Sequence, residues 1–321
     1  MMDETATCSA RVAVDPVGDL DDARELWERL EAATLNPFAT WMFADVWLRH
    51  IGANRPLRLV AVSVGDRTVA LLPLLEAGPE FRIVGYGDAD LLGPIGDPAS
   101  HAIALTALRD YVTEQGFRLI ADDVAGGSAR PLGGEVLRRT PSPLLELPEA
   151  GFEALLASLS AKLRGGVRNR ENRLARDHSM RVRAATPETL ERDVETLFAL
   201  HNTRWSHTTS VFSGPRVAMH RELAARAMER GWLRLRLLEL DGRPVAATYG
   251  LRVGDAEWFY QTGRDPAYER ESVGSALFAA TIRAACEEGA REFRMLRGDE
   301  SYKLSWASGD AAVETVLVDC S

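Results

Sequence analysis

Leu57-Arg-Leu-Val-Ala-Val-Ser-Val-Gly-Asp-Arg-Thr-Val-Ala70 and Leu233-Arg-Leu-Arg-Leu-Leu-Glu-Leu-Asp-Gly-Arg-Pro-Val-Ala246 align without a gap, 176 residues apart. Each reads as an apolar run, a two-residue turn of Gly and Asp, and a second run, which is a strong short-range hairpin signal. The match continues at Leu75/Leu251 and Gly78/Gly254. Outward from each hairpin the same order of elements repeats. A helical stretch precedes it, Trp41 to His50 and Val217 to Arg230. A strand follows, Phe81 to Val84 and Glu257 to Gln261, and then a helix with apolar residues at three-to-four spacing, Ile103 to Glu114 and Ser275 to Glu288. Glu114-Gln-Gly116 and Glu287-Glu-Gly289 end these helices, before short strands at Phe117 to Ile120 and Glu292 to Leu296. The sequence therefore predicts two copies of one α/β unit.

Pro141, Pro143 and Leu147-Pro-Glu-Ala-Gly151 punctuate the chain between the copies, because prolines this close forbid continued helix. The boundary is expected near 148, giving domains 1–148 and 149–321. Phe152 to Asp177 reads as one helix weakened at Gly165-Gly166. A chain of 321 residues with 46% hydrophobic content has enough apolar material for two ordinary cores. A net charge of -9 weighs against DNA and anionic membranes as partners and mildly favours a cationic small substrate. No run approaches the ~20 apolar residues of a membrane helix. The acidic start (Asp3, Glu4, Asp15) is no basic leader, so a cytoplasmic protein is expected. Cys8, Cys286 and Cys320 have no metal-ligand spacing, so neither a metal nor a disulfide framework is expected.

Helix, antiparallel hairpin, strand, crossover helix, strand is the element order of the GNAT acyltransferase fold. Four places in the C-terminal half add to it: His201-x-x-Arg204-Trp205, Asp241-Gly-Arg-Pro-Val-Ala246, Ser272-Val273-Gly274, and Gly298-Asp299-Glu300-x-Tyr302-Lys303-x-x-Trp306. With these residues the chain resembles the GNAT family often encoded with bacterial cellulose-synthesis genes, itself similar to the Fem-type aminoacyl transferases. The resemblance implies an α/β chain of two tandem GNAT-like domains, each a twisted mixed β-sheet flanked by helices. It also implies acetyl-CoA or another acyl-CoA as co-substrate and direct attack by an amine, without a covalent enzyme intermediate.

A helix N-terminus offers amides with no intrahelical partner and favours negative charge, so a cofactor pyrophosphate is expected at Ser272, Val273, Gly274 and Ser275. Arg270 would add a charge, Gln261 would lie along the thioester, and Lys303 would hold a phosphate or pair with an acid. The sequence departs from the superfamily pattern at Glu269, where a basic or amide residue is usual, and at Ser272, where the first glycine stands. A plain N-cap is the simpler reading of Ser272. Acyl transfer to an amine needs a base and an acid for the leaving thiolate. Asp299 and Glu300 are candidate bases, Tyr302 the candidate acid, and His201 a further base by its ordinary pKa near ~6.5. Arg204, Trp205 and Trp306 are expected at the substrate. The alternative is a solvated turn anchored by Tyr302 and Trp306.

The N-terminal half has Ala121-Asp-Asp-Val-Ala-Gly-Gly127 where the second has the Gly-Asp-Glu-x-Tyr-Lys cluster, so it is read as a degenerate scaffold and a wall of the substrate site. Tyr86-Gly-Asp-Ala-Asp90 reads as a turn rather than a metal site. Lys162 to Arg183 holds eight basic residues against Glu171 and Asp177. It reads as a solvated helix face, then as a contact for cofactor phosphates, and last as a tRNA dock. The expected partner is a small-molecule amine acceptor, with no DNA or membrane, tRNA disfavoured, and a monomer or homodimer. An aminoacyl-tRNA-dependent transferase and a non-catalytic accessory module are the rival readings.

Overall fold

The computed structural model describes residues 12–204, 210–309 and 311–319. The chain divides into two compact units: residues up to Asp45 with Gly52–Arg139 and those from Glu314 onward, and Val46–Ile51 with Thr140–Val313.

The first unit runs β1 (Val12–Val17), α1 (Arg24–Glu31), α2 (Trp41–Trp47), β2 (Leu57–Val64), β3 (Arg67–Ala77), β4 (Glu80–Ile83), β5 (Ile95–Gly96), α3 (His101–Glu114), β6 (Arg118–Ala125) and β7 (Glu135–Pro141). The second runs β8 (Leu144–Glu146), α4 (Phe152–Ser158), α5 (Ala161–Asp177), β9 (Met180–Ala184), α6 (Leu190–Arg204), α7 (Pro215–Glu229), β10 (Leu233–Leu240), β11 (Arg243–Val253), β12 (Ala256–Arg264), α8 (Val273–Glu287), β13 (Glu292–Arg294) and α9 (Ser301–Leu304). The last strand, β14 (Ala312–Val318), completes the chain.

Both sheets are mixed. The first is ordered β1-β2-β3-β4-β6-β14-β7, with β5 against β3, and the second β8-β13-β12-β11-β10-β9. Each has a parallel neighbour pair joined by a crossover helix, β4 with β6 and β12 with β13. The repeat is geometric as well as textual. Leu57 pairs with Leu75 and Leu233 with Leu251, and both hairpins slip register at the same place, after Val62 and after Leu238. Matched sequence thus yields matched pairing and a matched bulge.

One expectation is corrected, and the division of the chain is not a single boundary. By its contacts the chain divides at Arg139/Thr140, where the sequence suggests a boundary near 148, and it does not part cleanly there. Residues 144–146 form the edge strand of the second sheet, while β14 returns to the first sheet between β6 and β7. The helix expected over 152–177 is two helices, broken not at Gly165-Gly166 but at Leu159-Ser160. Leu159 is extended, and the Ser160 hydroxyl accepts from the Leu163 amide, starting α5 afresh.

In the second unit α8 is apolar almost all round. Phe278, Ala279, Ile282 and Ala285 pack with Phe259, Phe293, Met295 and Trp306, and Val273, Ala276 and Leu277 with Leu238, Leu240, Val245 and Leu174. At about 1.5–3 kcal/mol for each large side chain removed from water, this packing fixes where the start of α8 lies against the sheet.

Candidate functional site

The site begins where β12 leaves its neighbour. β12 is paired in parallel with β13 only at Ala256, Glu257 and Trp258. β13 ends at Arg294, and the chain then turns toward the segment before β8, the amides of Met295 and Gly298 donating to the carbonyls of Pro143 and Pro141. β12 continues through Phe259 to Arg264, so the strands part and leave an open edge. Within that stretch Tyr249 of β11 pairs with Gln261 and Gly250 with Phe259, which makes Tyr260 an extra residue. A bulge of this kind reverses the alternation of side chains beyond it.

A cavity of about 230 Å³ occupies the parting, lined by Phe259, Thr262, Arg264, Glu269, Ser272, Gly274, Ser275, Phe278 and Tyr302. The start of α8 and Tyr302 thus share one cavity. Ala276 makes the first intrahelical bond, to the Ser272 carbonyl, so the amides of Val273, Gly274 and Ser275 precede the helical ladder. Ser272 is no ordinary N-cap. It adopts a left-handed conformation (φ 56°, ψ 42°) and its side chain makes no capping bond. That conformation costs a residue with a Cβ about 1 kcal/mol and suits glycine, the residue the motif usually carries there. Val273 is fully buried and contributes only backbone to this turn.

Arg264 lies across the same turn. A Cβ built on Gly274 would come within 3.2 Å of its Cδ, and its guanidinium pairs with Glu269 at 3.3 Å. The sequence points to Gln261 along the donor and not to this residue, and unbroken alternation from Phe259 would likewise carry the cavity side to Gln261. The bulge moves the cavity side to Thr262 and Arg264, and no period-two pattern shows that in advance. Gln261 and Arg270 are not among the lining residues, and Arg270 is exposed.

The second cluster is divided by the fold. Tyr302, on α9, stands edge-on to Phe278 with ring centroids 5.1 Å apart and lines the cavity. Asp299 is exposed and off the lining. Glu300 is held by Lys303 at 3.1 Å. Lys303 is buried, and its ammonium also donates to the Arg297 carbonyl at 2.7 Å, so of its two expected roles the structure shows the pairing with an acid, which secures the turn into α9. Trp306, expected at the substrate, is only 3% exposed, stacks on Phe152 and meets Phe278 edge-on within the core of the unit.

His201 is buried on α6, its Nδ1 donating to the Thr262 carbonyl at 3.0 Å, and its ring lies edge-on to Phe212. The helix approaches β12 so closely that a Cβ on Gly263 would fall 2.4 Å from the His201 amide nitrogen. His201 therefore braces the backbone of a cavity-lining residue. The side chain of Arg204 and all of Trp205 lie outside the described residues. Beyond His201 lies an aromatic group of Phe212, His220, Tyr249 and Tyr260. Burial pushes His220 down to about 3 and the Tyr249 phenol up. Cys286 is half-buried and its thiol is pushed up to about 11 by burial, which makes it a poor nucleophile. Cys8 and Cys320 lie outside the described residues. Among the described residues no cluster of His, Cys, Asp or Glu could hold a metal ion, and no helix is long and apolar enough to cross a membrane.

Residues 161–304 match the family model described as the acetyltransferase (GNAT) domain. Of solved structures, FemX is similar with a TM-score of 0.63 and 13% identity, covering 95% of this chain and 98% of that one. A tandem GNAT protein from the clavulanic acid biosynthesis pathway gives 0.56 and 14%, with 97% and 99% covered. L-PGS from Bacillus licheniformis gives 0.56 and 13%, with 86% and 91% covered. At these identities the likeness is one of fold. No curated protein matches the chain in sequence. Two mixed sheets with flanking helices, the parted strands and the match over residues 161–304 together give a tandem α/β chain whose second unit has the GNAT fold.

Proposed function

We propose that this chain transfers an acyl group from a CoA-type thioester, acetyl-CoA or another acyl-CoA, to the amine of a small molecule in a ternary complex. The observation that carries the reading is the single cavity lined both by the first turn of α8 and by Tyr302. A phosphate can rest on the amides of Val273, Gly274 and Ser275, with the Arg264 guanidinium beside it. The arm of the donor then runs along the unpaired edge of β12 toward Tyr302. The amine nitrogen attacks the thioester carbonyl carbon, the carbon–sulfur bond breaks, and the Tyr302 hydroxyl protonates the departing thiolate. Glu269 is the one carboxylate among the lining residues, so the amine proton passes to solvent at the cavity mouth rather than to Asp299 or Glu300.

An aminoacyl-tRNA donor is less well supported. Much of the basic stretch is engaged within the unit: Arg164 on the carbonyls ending α4, Arg168 on Glu153, Arg173 on the carbonyls of Arg270 and Glu271, Arg176 on Asp177, and Arg183 on Asp193 and Glu239. The particular likeness to GNAT proteins encoded with cellulose-synthesis genes rests on the four motifs alone, and a cytoplasmic location is expected with it.

The test is a thermal-shift titration with acetyl-CoA and longer acyl-CoAs, followed by an amine screen read by thiol release. A donor at 100 times its Kd stabilises by about 2.7 kcal/mol. No shift with any acyl-CoA, and no thiol released with any amine, would remove the assignment in favour of an accessory module.

A further inference from the structure

Resting on that reading of the cavity, we infer that the donor is recognised as a 4′-phosphopantetheine thioester carrying a single phosphate, and that the additional phosphates of free CoA are selected against. The argument is one of charge at the place where phosphate must sit. The turn from Arg264 to Ser275 holds Arg264 and Arg270 against Asp265, Glu269 and Glu271, a net negative segment at a position that is to receive an anion. The cavity itself is lined by one cation and one anion, Arg264 and Glu269, and they are paired with each other.

The neighbouring charges do not reverse this balance. Arg270 is exposed and off the lining. Arg173 reaches the turn, but its guanidinium donates to the backbone carbonyls of Arg270 and Glu271. Asp265 caps the short turn at Pro266–Tyr268 and pairs with Arg243 at 3.1 Å. One oxygen of Glu271, Oε2, is buried with no hydrogen-bond partner, which adds negative potential beside the helix start.

A single phosphate suits such a turn. It takes the three leading amides of α8 and the Arg264 guanidinium, and Glu269, 76% exposed at its side chain, swings into solvent as it is displaced. Further phosphates would have only Arg264, already taken up by the first, against the carboxylates of Glu269 and Glu271, and like charges repel. Glu269 is therefore a specificity-determining residue. It stands where the motif that this turn resembles carries a basic or amide side chain.

The test compares equilibrium binding and thiol release for four thioesters of one acyl group: acyl-pantetheine, acyl-phosphopantetheine, acyl-CoA, and the same arm on a carrier protein. Wild-type protein is expected to bind acyl-phosphopantetheine at least as tightly as acyl-CoA, and both more tightly than acyl-pantetheine. Glu269→Gln should tighten acyl-CoA about tenfold relative to acyl-phosphopantetheine and leave acyl-pantetheine unchanged. Arg264→Gln should weaken the phosphate-bearing donors alone. A more than tenfold advantage of the carrier-bound arm over the free arm would identify a carrier protein as the source. Acyl-CoA bound tenfold more tightly than acyl-phosphopantetheine by wild-type protein, or a ratio unmoved by Glu269→Gln, overturns the inference. Binding in the expected order without thiol release from any donor would leave the inference standing and remove the acyl-transfer reading beneath it.

Discussion

The two units begin alike and part at one residue. Their hairpins share sequence, register and bulge, yet where β12 bulges at Tyr260 and runs on to Arg264, the matching strand of the first unit stops at Ile83. Tyr86 there donates back to the Ile83 carbonyl, and the chain turns away. The helices that follow also start differently. Asp97 and Asp265 cap matching short turns, their carboxylates accepting from the Ala99 and Ala267 amides, but α3 follows its turn at once, whereas α8 begins only after Glu269 to Ser272, with Ser272 left-handed. The second unit thus inserts Glu269 to Ser272 between a turn that both units share and the helix, and it is after this insertion that amides face a cavity. A duplicated fold is kept by its hairpin, and a site is gained or lost in the five residues after the strand and the four before the helix.

The largest effect expected from breaking this comparison lies in the core. Arg236, buried on β10, reaches over β11 to Glu257 of β12 and also meets Glu288 at 2.8 Å. The matching positions of the first unit are Val60 and Phe81, both buried. Removing one partner of a buried ion pair strands the other, so Arg236→Val should cost about 3–5 kcal/mol in urea unfolding. Converting the pair to the first unit's residues, Arg236→Val with Glu257→Phe, should recover most of that loss. A double variant as unstable as the single one would mean that the ion pair is required in itself. Next comes Tyr302, which has no counterpart after Ile120. Tyr302→Phe should lower kcat about 10²-fold with KM little changed, while Asp299→Asn, off the lining, should stay within twofold.

Most of the second unit was legible because its signals are local. Hairpin turns, helix periodicity and the turns after Glu114 and Glu287 are written in neighbouring residues, and the elements appear within a few residues of expectation. Three features were not legible, each for a long-range reason. β14 joins β6 and β7 through pairings that no window of sequence contains. The bulge at Tyr260 exchanges Gln261 for Thr262 and Arg264 at the cavity, and alternation alone cannot announce a skipped residue. The charged run after Gly298 looks uniform, but packing exposes Asp299, ties Glu300 to Lys303 and leaves Tyr302 facing the cavity.

A smaller effect sharpens the contrast through pH. His220 is fully buried with its pKa down to about 3, and the first unit has Ala44 at the matching helical position. Because the folded value lies below the unfolded 6.5, the unfolded chain binds the extra proton in between. The contribution of His220 is complete above pH 6.5 and is lost as pH falls toward 3. On the order of 2 kcal/mol should disappear between pH 6.5 and 4.5, at about 1.4 kcal/mol per pH unit. His220→Leu should flatten that limb of the stability–pH curve whatever it does to the plateau.

The smallest effect contrasts, by sign, the capped turn that both units share with the uncapped start of α8. Glycine at position 272 takes up the left-handed backbone without opposition from a Cβ, and no capping bond is lost, because the Ser272 side chain makes none. Ser272→Gly should therefore stabilise by about 1 kcal/mol, somewhat offset by the greater freedom of glycine in the unfolded chain. Asp97→Ala removes a bond that is made and should cost about 1 kcal/mol. For units of this size each change moves Tm by about 2–4 °C, in opposite directions. If Ser272→Gly destabilised instead, the serine would be held by a native contact at the start of α8, and the amides there would not be open to a phosphate.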